Sequence, residues 1–177
     1  QQPRISEINY HGIKKSERED LEMLLGLVKG NQITPNIVDR ATTIIKKHFE
    51  EKGFKNAEVN IKQTDDLTHE NEVIVDIYVD KKEKVKVHKI YIDGNEVLSD
   101  RKIKWAMKKT NEKGNLLHLF RTKKFVEENY KNDKNLIIEK YNELGYRDAA
   151  IVNDSVVRYN DKTVDVYLTI DEGKKYY

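Results

Sequence analysis

The sequence predicts an α+β fold made of two small modules in tandem, each of order β-α-α-β-β, with a three-stranded mixed sheet and two antiparallel helices on one face. Three observations lead there. Blocks of similar pattern recur in the same order in the two halves of the 177-residue chain, which marks a repeat. Apolar positions between the blocks follow helical spacing, while inside them apolar and polar residues alternate as in half-buried strands. The composition also suits thin cores: 37% of residues are hydrophobic and 36% are charged, the balance of small domains with much surface per buried residue.

The first strand of each module is read from Ile5-Ser6-Glu7-Ile8-Asn9-Tyr10-His11-Gly12 and, 82 residues on, from Val87-His88-Lys89-Ile90-Tyr91-Ile92-Asp93-Gly94. Each alternates and stops on a glycine. The first helix is expected to start at Ser16 or Ser99, good N-cap residues, and to carry Leu21, Leu24, Leu25 and Val28 in one copy and Ile103, Ala106 and Met107 in the other. For the second helix, Thr34-Pro35 supplies a cap and a first-turn proline ahead of Ile37, Ala41, Ile44, Ile45 and Phe49. Its counterpart is expected to begin near Thr122, to carry Phe125, Tyr130, Ile137, Ile138, Tyr141 and Leu144, and to end before Gly145.

The helix ends recur as Phe49-Glu50-Glu51-Lys52-Gly53-Phe54-Lys55-Asn56-Ala57 and Tyr141-Asn142-Glu143-Leu144-Gly145-Tyr146-Arg147-Asp148-Ala149, 92 residues apart. The last strands align as Val75-Asp76-Ile77-Tyr78-Val79 and Val164-Asp165-Val166-Tyr167-Leu168, 89 apart, with aspartate and tyrosine facing outward. These unequal spacings imply that the second copy gains ten residues between the first two blocks and loses three between the last two. The trimmed segment is a hairpin tip, Asp65 to Asn71 against Tyr159 to Lys162, where length changes are tolerated. Module bounds are set at 1–82 and 83–177, with Lys81, Lys82, Glu83 and Lys84 as the inter-module hinge. A short charged connector without proline or glycine implies a semi-rigid rod.

Composition removes several function classes. Lysine and arginine total 33 against 31 acids, a net charge of +2, too balanced for polyanion binding on electrostatics alone. There is no cysteine, hence no disulfide, thiolate nucleophile or cysteine-ligated zinc. No apolar run approaches the ~20 residues of a membrane-spanning helix. Gln1-Gln2-Pro3-Arg4 lacks a signal-peptide core and Tyr177 follows a strand-like run directly, so both ends are expected to be cut points in a longer protein. His11, His48, His69, His88 and His118 are scattered in sequence, and without an i, i+4 pair no metal site is expected; His48 reads as a helix-surface residue. The acid pairs Glu50-Glu51, Asp65-Asp66 and Glu127-Glu128 read as solvated surface, and Ser6, Ser16, Ser99 and Ser155 lack a nucleophile-elbow context. No catalytic residue and no cofactor are expected.

The repeat, with Gly53-Phe54, Gly145-Tyr146 and Asp171-Glu172-Gly173 as its punctuation, resembles the polypeptide-transport-associated (POTRA) domain twice over, across nearly the whole chain. Ile90 to Val97 together with Tyr141 to Ala149 is similar to POTRA modules of outer-membrane protein assembly factors, and the long insertion Asn111 to Arg121 resembles the second and third modules of a Bacteroidetes-type member. That resemblance implies a periplasmic arm of an outer-membrane protein, with neighbouring POTRA modules and a C-terminal membrane barrel outside this chain. Implied partners are unfolded outer-membrane β-barrel precursors and accessory assembly subunits, with no nucleic acid. One departure stands out, since Asp80-Lys81-Lys82-Glu83-Lys84 occupies a place where the family has an acid followed by glycine.

The resemblance also implies a site: the second strand lies exposed as an edge beside the first helix and accepts an extended segment. Carried onto this sequence, the edges are Glu58, Val59, Asn60, Ile61 and Lys62 in one copy and Ala150, Ile151, Val152, Asn153, Asp154 and Ser155 in the other. Main-chain pairing at an edge tolerates many sequences, and at ~1 kcal/mol per hydrogen bond it gives weak, reversible capture. The plainer reading is that these are ordinary sheet residues, with Lys62, Asn153 and Asp154 guarding the edge against aggregation. Asn153-Asp154-Ser155 fits the glycosylation triplet, which is discounted because a sugar would block the edge. The insertion residues Leu116, Leu117, His118, Leu119 and Phe120 are either a partner loop or packing under the first helix, the latter expected because exposed apolar patches are uncommon. Trp105 is expected to be partly buried against that insertion. Two rival readings are a purely architectural spacer and a KH-like nucleic-acid module, although Gly26-Leu27-Val28-Lys29-Gly30 is one residue too wide for the Gly-x-x-Gly clamp.

Overall fold

The structure, a computed structural model, describes residues 2–114 and 121–177; the insertion residues Leu116 to Phe120 lie outside the described residues. One compact unit ends at Lys82 and a second begins at Glu83. The first contains β1 (Arg4–His11), α1 (Lys15–Leu25), α2 (Pro35–Glu51), β2 (Glu58–Asp65) and β3 (Glu72–Asp80), and the second β4 (Lys86–Asp93), α3 (Asp100–Ala106), α4 (Glu127–Glu143), β5 (Ala150–Asn160) and β6 (Thr163–Asp171). The last strand of each unit lies in the middle of its sheet, in the orders β1-β3-β2 and β4-β6-β5. It runs parallel to the first strand and antiparallel to the second. A parallel pair needs a crossover, and the two helices supply it.

Alternation decides which face is buried. Val73, Val75, Ile77 and Val79 point inward with Ile5, against Leu21, Ile45 and Phe49 of the helices. In the second module Val164, Val166, Leu168 and Ile170 meet Ile103, Met107, Tyr130, Ile137 and Tyr141. The glycines that close the first strands are sterically required. A Cβ on Gly12 would overlap the Val79 carbonyl oxygen and one on Gly94 that of Ile170, with φ near +82° and +80°.

These pairings correct the alignment of the last strands. Ile8 pairs with Val75 and its counterpart Ile90 with Val166, so the equivalent of Val75 is Val166, 91 residues on, not Val164. The second copy loses one residue there, not three. A slip of two keeps every side chain on its own face, so the apolar pattern matches equally well in either register.

The expected caps hold at Thr34 and, by position, at Ser99. Thr34 Oγ1 accepts from Ile37 N at 3.2 Å with Pro35 in the first turn. Ser16 lies inside α1, whose cap position is Lys14, with Lys14 N donating to Glu17 Oε2 at 2.9 Å. Ser99 holds the cap position of α3 without a side-chain bond. Because α1 ends at Leu25, Val28 falls outside it, and Leu24 and Val28 are 52% and 58% exposed. The second helix of module two begins at Glu127, not near Thr122. Residues 123–125 are drawn out beside β4, where Val87 N donates to Lys123 O at 2.9 Å and Phe125 N to Val85 O at 2.8 Å. Phe125 enters the core from that segment, and Leu144 stays exposed.

Candidate functional site: two sheet edges

A three-stranded sheet has two flanks, and in both modules the chain itself caps the start of one of them. Beside β1, Ile5 N donates to Asn31 O at 2.8 Å, Gly30 N to Ile5 O at 2.7 Å and Ile33 N to Pro3 O at 3.0 Å. Beside β4, Lys113 N donates to Val87 O at 2.8 Å, and Glu112 Oε1 accepts from Ile90 N at 2.8 Å, next to the 123–125 segment. Gly26 and Gly30, weighed above as a nucleotide clamp, serve as the left-handed cap of α1 and as part of this closure. Among the described residues the opposite flanks, β2 and β5, have no partner strand.

The residues Glu58 to Lys62 form the first half of β2. Val59 and Ile61 lean into the core while Glu58, Asn60 and Lys62 face water. Pairing with β3 is unbroken from Glu58 opposite Asp80 to Asp65 opposite Val73. Lys62 Nζ lies 5.3 Å from the Tyr78 ring centroid, so its charge rests on the outer face beside its own sheet.

Ala150 to Ser155 begin a longer and less regular edge. Its register with β6 shifts between Ile151 and Asn153 and again between Arg158 and Asn160. The first shift leaves Val152 outside the ladder and 59% exposed. Asp154 is held from the helix side: Tyr130 Oη donates to Asp154 Oδ2 at 3.0 Å, and Lys134 Nζ sits 2.9 Å from the same oxygen. Burial, reinforced by the Asp154 carboxylate, pushes the Tyr130 hydroxyl far above the ordinary tyrosine range. The helix that runs beside each edge is therefore the second of its module, not the first: α2 flanks β2 and α4 flanks β5.

Three of the hinge residues, Lys81, Lys82 and Glu83, have partners within their own units. Lys81 Nζ lies 3.0 Å from Glu17 Oε1 and 5.3 Å from the Phe54 ring centroid. Lys82 has a left-handed φ of 55° and donates its N–H to Asp80 Oδ1 at 3.1 Å. Gly173, with φ 63° and its N–H on Asp171 Oδ1 at 3.0 Å, makes the same turn at the end of module two. The same acid-anchored left-handed turn is thus present at both sites, with lysine at the first where the second has glycine. Glu83 pairs with Lys162 at 2.9 Å, and Lys84 keeps contacts of its own.

Sequence reasoning missed three features. Asp133 is buried on α4, and its carboxylate accepts the N–H groups of Lys108 at 2.9 Å, Lys109 at 3.0 Å and Thr110 at 2.6 Å. The available signal was its place in the stripe Tyr130, Asp133, Ile137, Tyr141. His48 is not a surface residue: its side chain is 13% exposed, 3.9 Å from Asp20, and burial, then nearby Lys52, lowers its pKa. A pocket of about 320 Å³ opens in module one, lined by Leu25, Leu27, Ile37, Arg40, Ala41 and Ile44 among others, with no residue of β2. Trp105 remains 55% exposed, with the Arg121 guanidinium 4.7 Å from its ring centroid. Among the described residues no helix is long and apolar enough to cross a membrane.

Two mixed three-stranded sheets, each with helices over one face and one open flank, define a tandem of β-α-α-β-β modules. Residues 3–82 and 85–173 each match the POTRA family model, described as a surface antigen variable number repeat, and the chain belongs to that family. It is 27% identical over 180 residues to the outer membrane protein assembly factor BamA of Neisseria meningitidis serogroup B, a match covering 99% of this chain and 22% of that protein. The chain thus spans about a fifth of that relative's length. Among solved structures it is similar to the N-terminal domain of Omp85 from the cyanobacterium Thermosynechococcus elongatus, at TM-score 0.58 and 17% identity over 98% of this chain and 65% of that one. Haemophilus ducreyi BamA lacking POTRA domains 1–3 gives TM-score 0.56 and 18% identity over 98% of this chain and 29% of that one. At these identities the two structures show a common fold.

Proposed function

We propose that this chain is the periplasmic scaffold region of an outer-membrane β-barrel assembly factor, without catalytic activity, and that it captures extended polypeptide by strand addition. The receiving edge is Glu58 to Lys62, with Ala150 to Ser155 a weaker second. The observation that carries this reading is the asymmetry of each sheet, one flank capped at its start by the module's own backbone and the other, β2 or β5, without a partner along its length among the described residues. An open strand presents unpaired N–H and C=O groups that a guest backbone satisfies whatever its sequence, which suits a protein meeting many unfolded barrel precursors. The kinship with a protein named as an outer membrane protein assembly factor supports the setting. Neighbouring POTRA modules and a C-terminal barrel beyond this chain belong to the same proposal, as do accessory assembly subunits as alternative guests.

The test is chemical-shift mapping of the two-module chain with peptides taken from outer-membrane barrel strands. The expected result is a set of perturbed amides along β2, a weaker set along β5, and affinities in the range that a few hydrogen bonds of ~1 kcal/mol each provide. Shifts confined to loops, with both edges silent at high peptide concentration, would leave the architectural spacer as the function.

A further inference from the structure

We propose that the hairpin tip between β2 and β3 is a divalent-metal site of the zinc class, with Asp66, His69 and Glu72 as ligands. One imidazole nitrogen and two carboxylate oxygens from these residues lie within 4.8 Å of one another. His69 Nδ1 and Asp66 Oδ2 are 3.2 Å apart and hydrogen-bonded, with Thr68 Oγ1 2.8 Å from the same nitrogen. Two ligands ~2.1 Å from a tetrahedral ion stand about 3.4 Å from each other, so that pair already has ligand spacing.

A second observation points to a cation. Glu72 Oε2 is shut off from solvent and has no hydrogen-bond partner, although buried polar atoms are normally satisfied. It belongs to a carboxylate that has an oxygen within 4.8 Å of ligand atoms of both Asp66 and His69. The loop backbone is already set for this. Asp66 N donates to Glu72 O at 2.9 Å and His69 N to Asp66 O at 3.2 Å. Thr68 donates to Asp66 Oδ1 through its hydroxyl at 2.6 Å and its N–H at 2.9 Å, which orients the carboxylate and leaves Oδ2 toward the centre, the part that outer partners play at metal sites. The half-exposed imidazole of His69 provides an entry path.

The donor set selects the ion. Three protein ligands with one nitrogen suit zinc, with water completing the tetrahedron. Calcium would ask for six or more oxygens and magnesium for an octahedron of them. The spacing Asp66, His69, Glu72 differs from the i, i+4 pattern sought in the sequence because the ligands sit on a hairpin tip instead of a helix.

The experiment is calorimetric titration of the untagged 177-residue chain with zinc chloride, alongside H69A, E72Q and, as a control, H88A. The expected result is one saturable site, weakened about ten-fold or more in H69A and E72Q and unchanged in H88A, with amide shifts over residues 66–72 on adding zinc. Without metal, E72Q should melt no lower than the parent, because the Glu72 oxygen it alters has no hydrogen-bond partner to lose. Absence of saturable binding, equal binding by H69A and E72Q, or calcium binding as tightly as zinc would each overturn the assignment.

Discussion

The two modules share a topology and differ in how they treat their open edge. In module one, β2 runs in unbroken register beside β3 over eight residues. In module two, β5 is eleven residues long, slips register twice and has Asp154 tied to α4. Bulges and inward-held charges are ways in which a sheet resists pairing with another chain. One fold thus presents a regular edge and an interrupted one, and the difference comes from single inserted residues such as Val152.

A second contrast lies in the cores. Val38, Ala41, Ile45 and Phe49 of α2 correspond to Tyr130, Asp133, Ile137 and Tyr141 of α4, 92 residues on. Module one fills this stripe with apolar side chains, while module two places a carboxylate there and uses it to hold a connection that is not helical. The short α3, seven residues long, is followed by backbone whose N–H groups Asp133 collects.

The largest expected effect breaks this contrast. D133A leaves three N–H groups without their acceptor and should destabilise module two by about 3 kcal/mol or more. Urea unfolding followed by Trp105 fluorescence should shift, while the amides of module one keep their protection. Deleting Val152 should straighten β5 and strengthen its binding of barrel-strand peptides toward that of β2, read as a several-fold lower Kd; an unchanged Kd would mean that Asp154, not the bulge, guards the edge.

Alkaline pH sharpens the comparison further. Tyr130 and Tyr141 are both held protonated well above the ordinary range, first by burial and then by the carboxylates of Asp154 and Glu172. Their folded pKa exceeds the unfolded value near 10, so their contribution is complete below pH 10 and is lost as pH rises beyond it. Module two should steepen in alkaline sensitivity, and Y141F should flatten the slope. At acid pH the sign reverses and the module changes. His48 has a folded pKa below its unfolded value of about 6.5, so module one is fully stable above that value and weakens as pH falls from it toward the folded pKa. H48Q should remove this dependence in a urea-midpoint series.

The smallest effect concerns the paired turns. Lysine in the left-handed conformation costs roughly 1 kcal/mol, and the exposed ion pairs of Lys82 with Asp80 and Glu58 return little. K82G should raise the stability of module one by roughly 0.5 to 1 kcal/mol. The converse G173A should lower module two, where a Cβ would also come within 2.9 Å of Asp148 Cβ.

Most of the fold was legible because it rests on periodicity and punctuation. Thr34-Pro35, the glycines at 12 and 94, and the alternation of β3 and β6 each point to one local structure. The strand register was not legible, since a slip of two leaves the apolar face intact and only the pairing of Ile90 with Val166 resolves it. The start of α4 was hidden because Phe125 and Val126 look like helix-stripe residues, while their burial comes from an extended segment completing the flank of β4. Asp133 and His48 were unreadable for a common reason: a polar residue on an apolar stripe has meaning only once its partners, or their absence, are known. The edge residues were reached through family resemblance; topology then distinguished the two flanks of each sheet.

The capped start of the flank beside β1 and β4 would bias each sheet toward growth on the other side. A guest strand laid on β2 would become the new border and carry the open side outward with it, while the opposite side starts from a capped end. The next segment of the same guest, folding back as a hairpin, would then find a ready template in its own preceding strand. Capture and the first step of β-folding would be successive additions on one advancing border, with the module as its fixed starting wall.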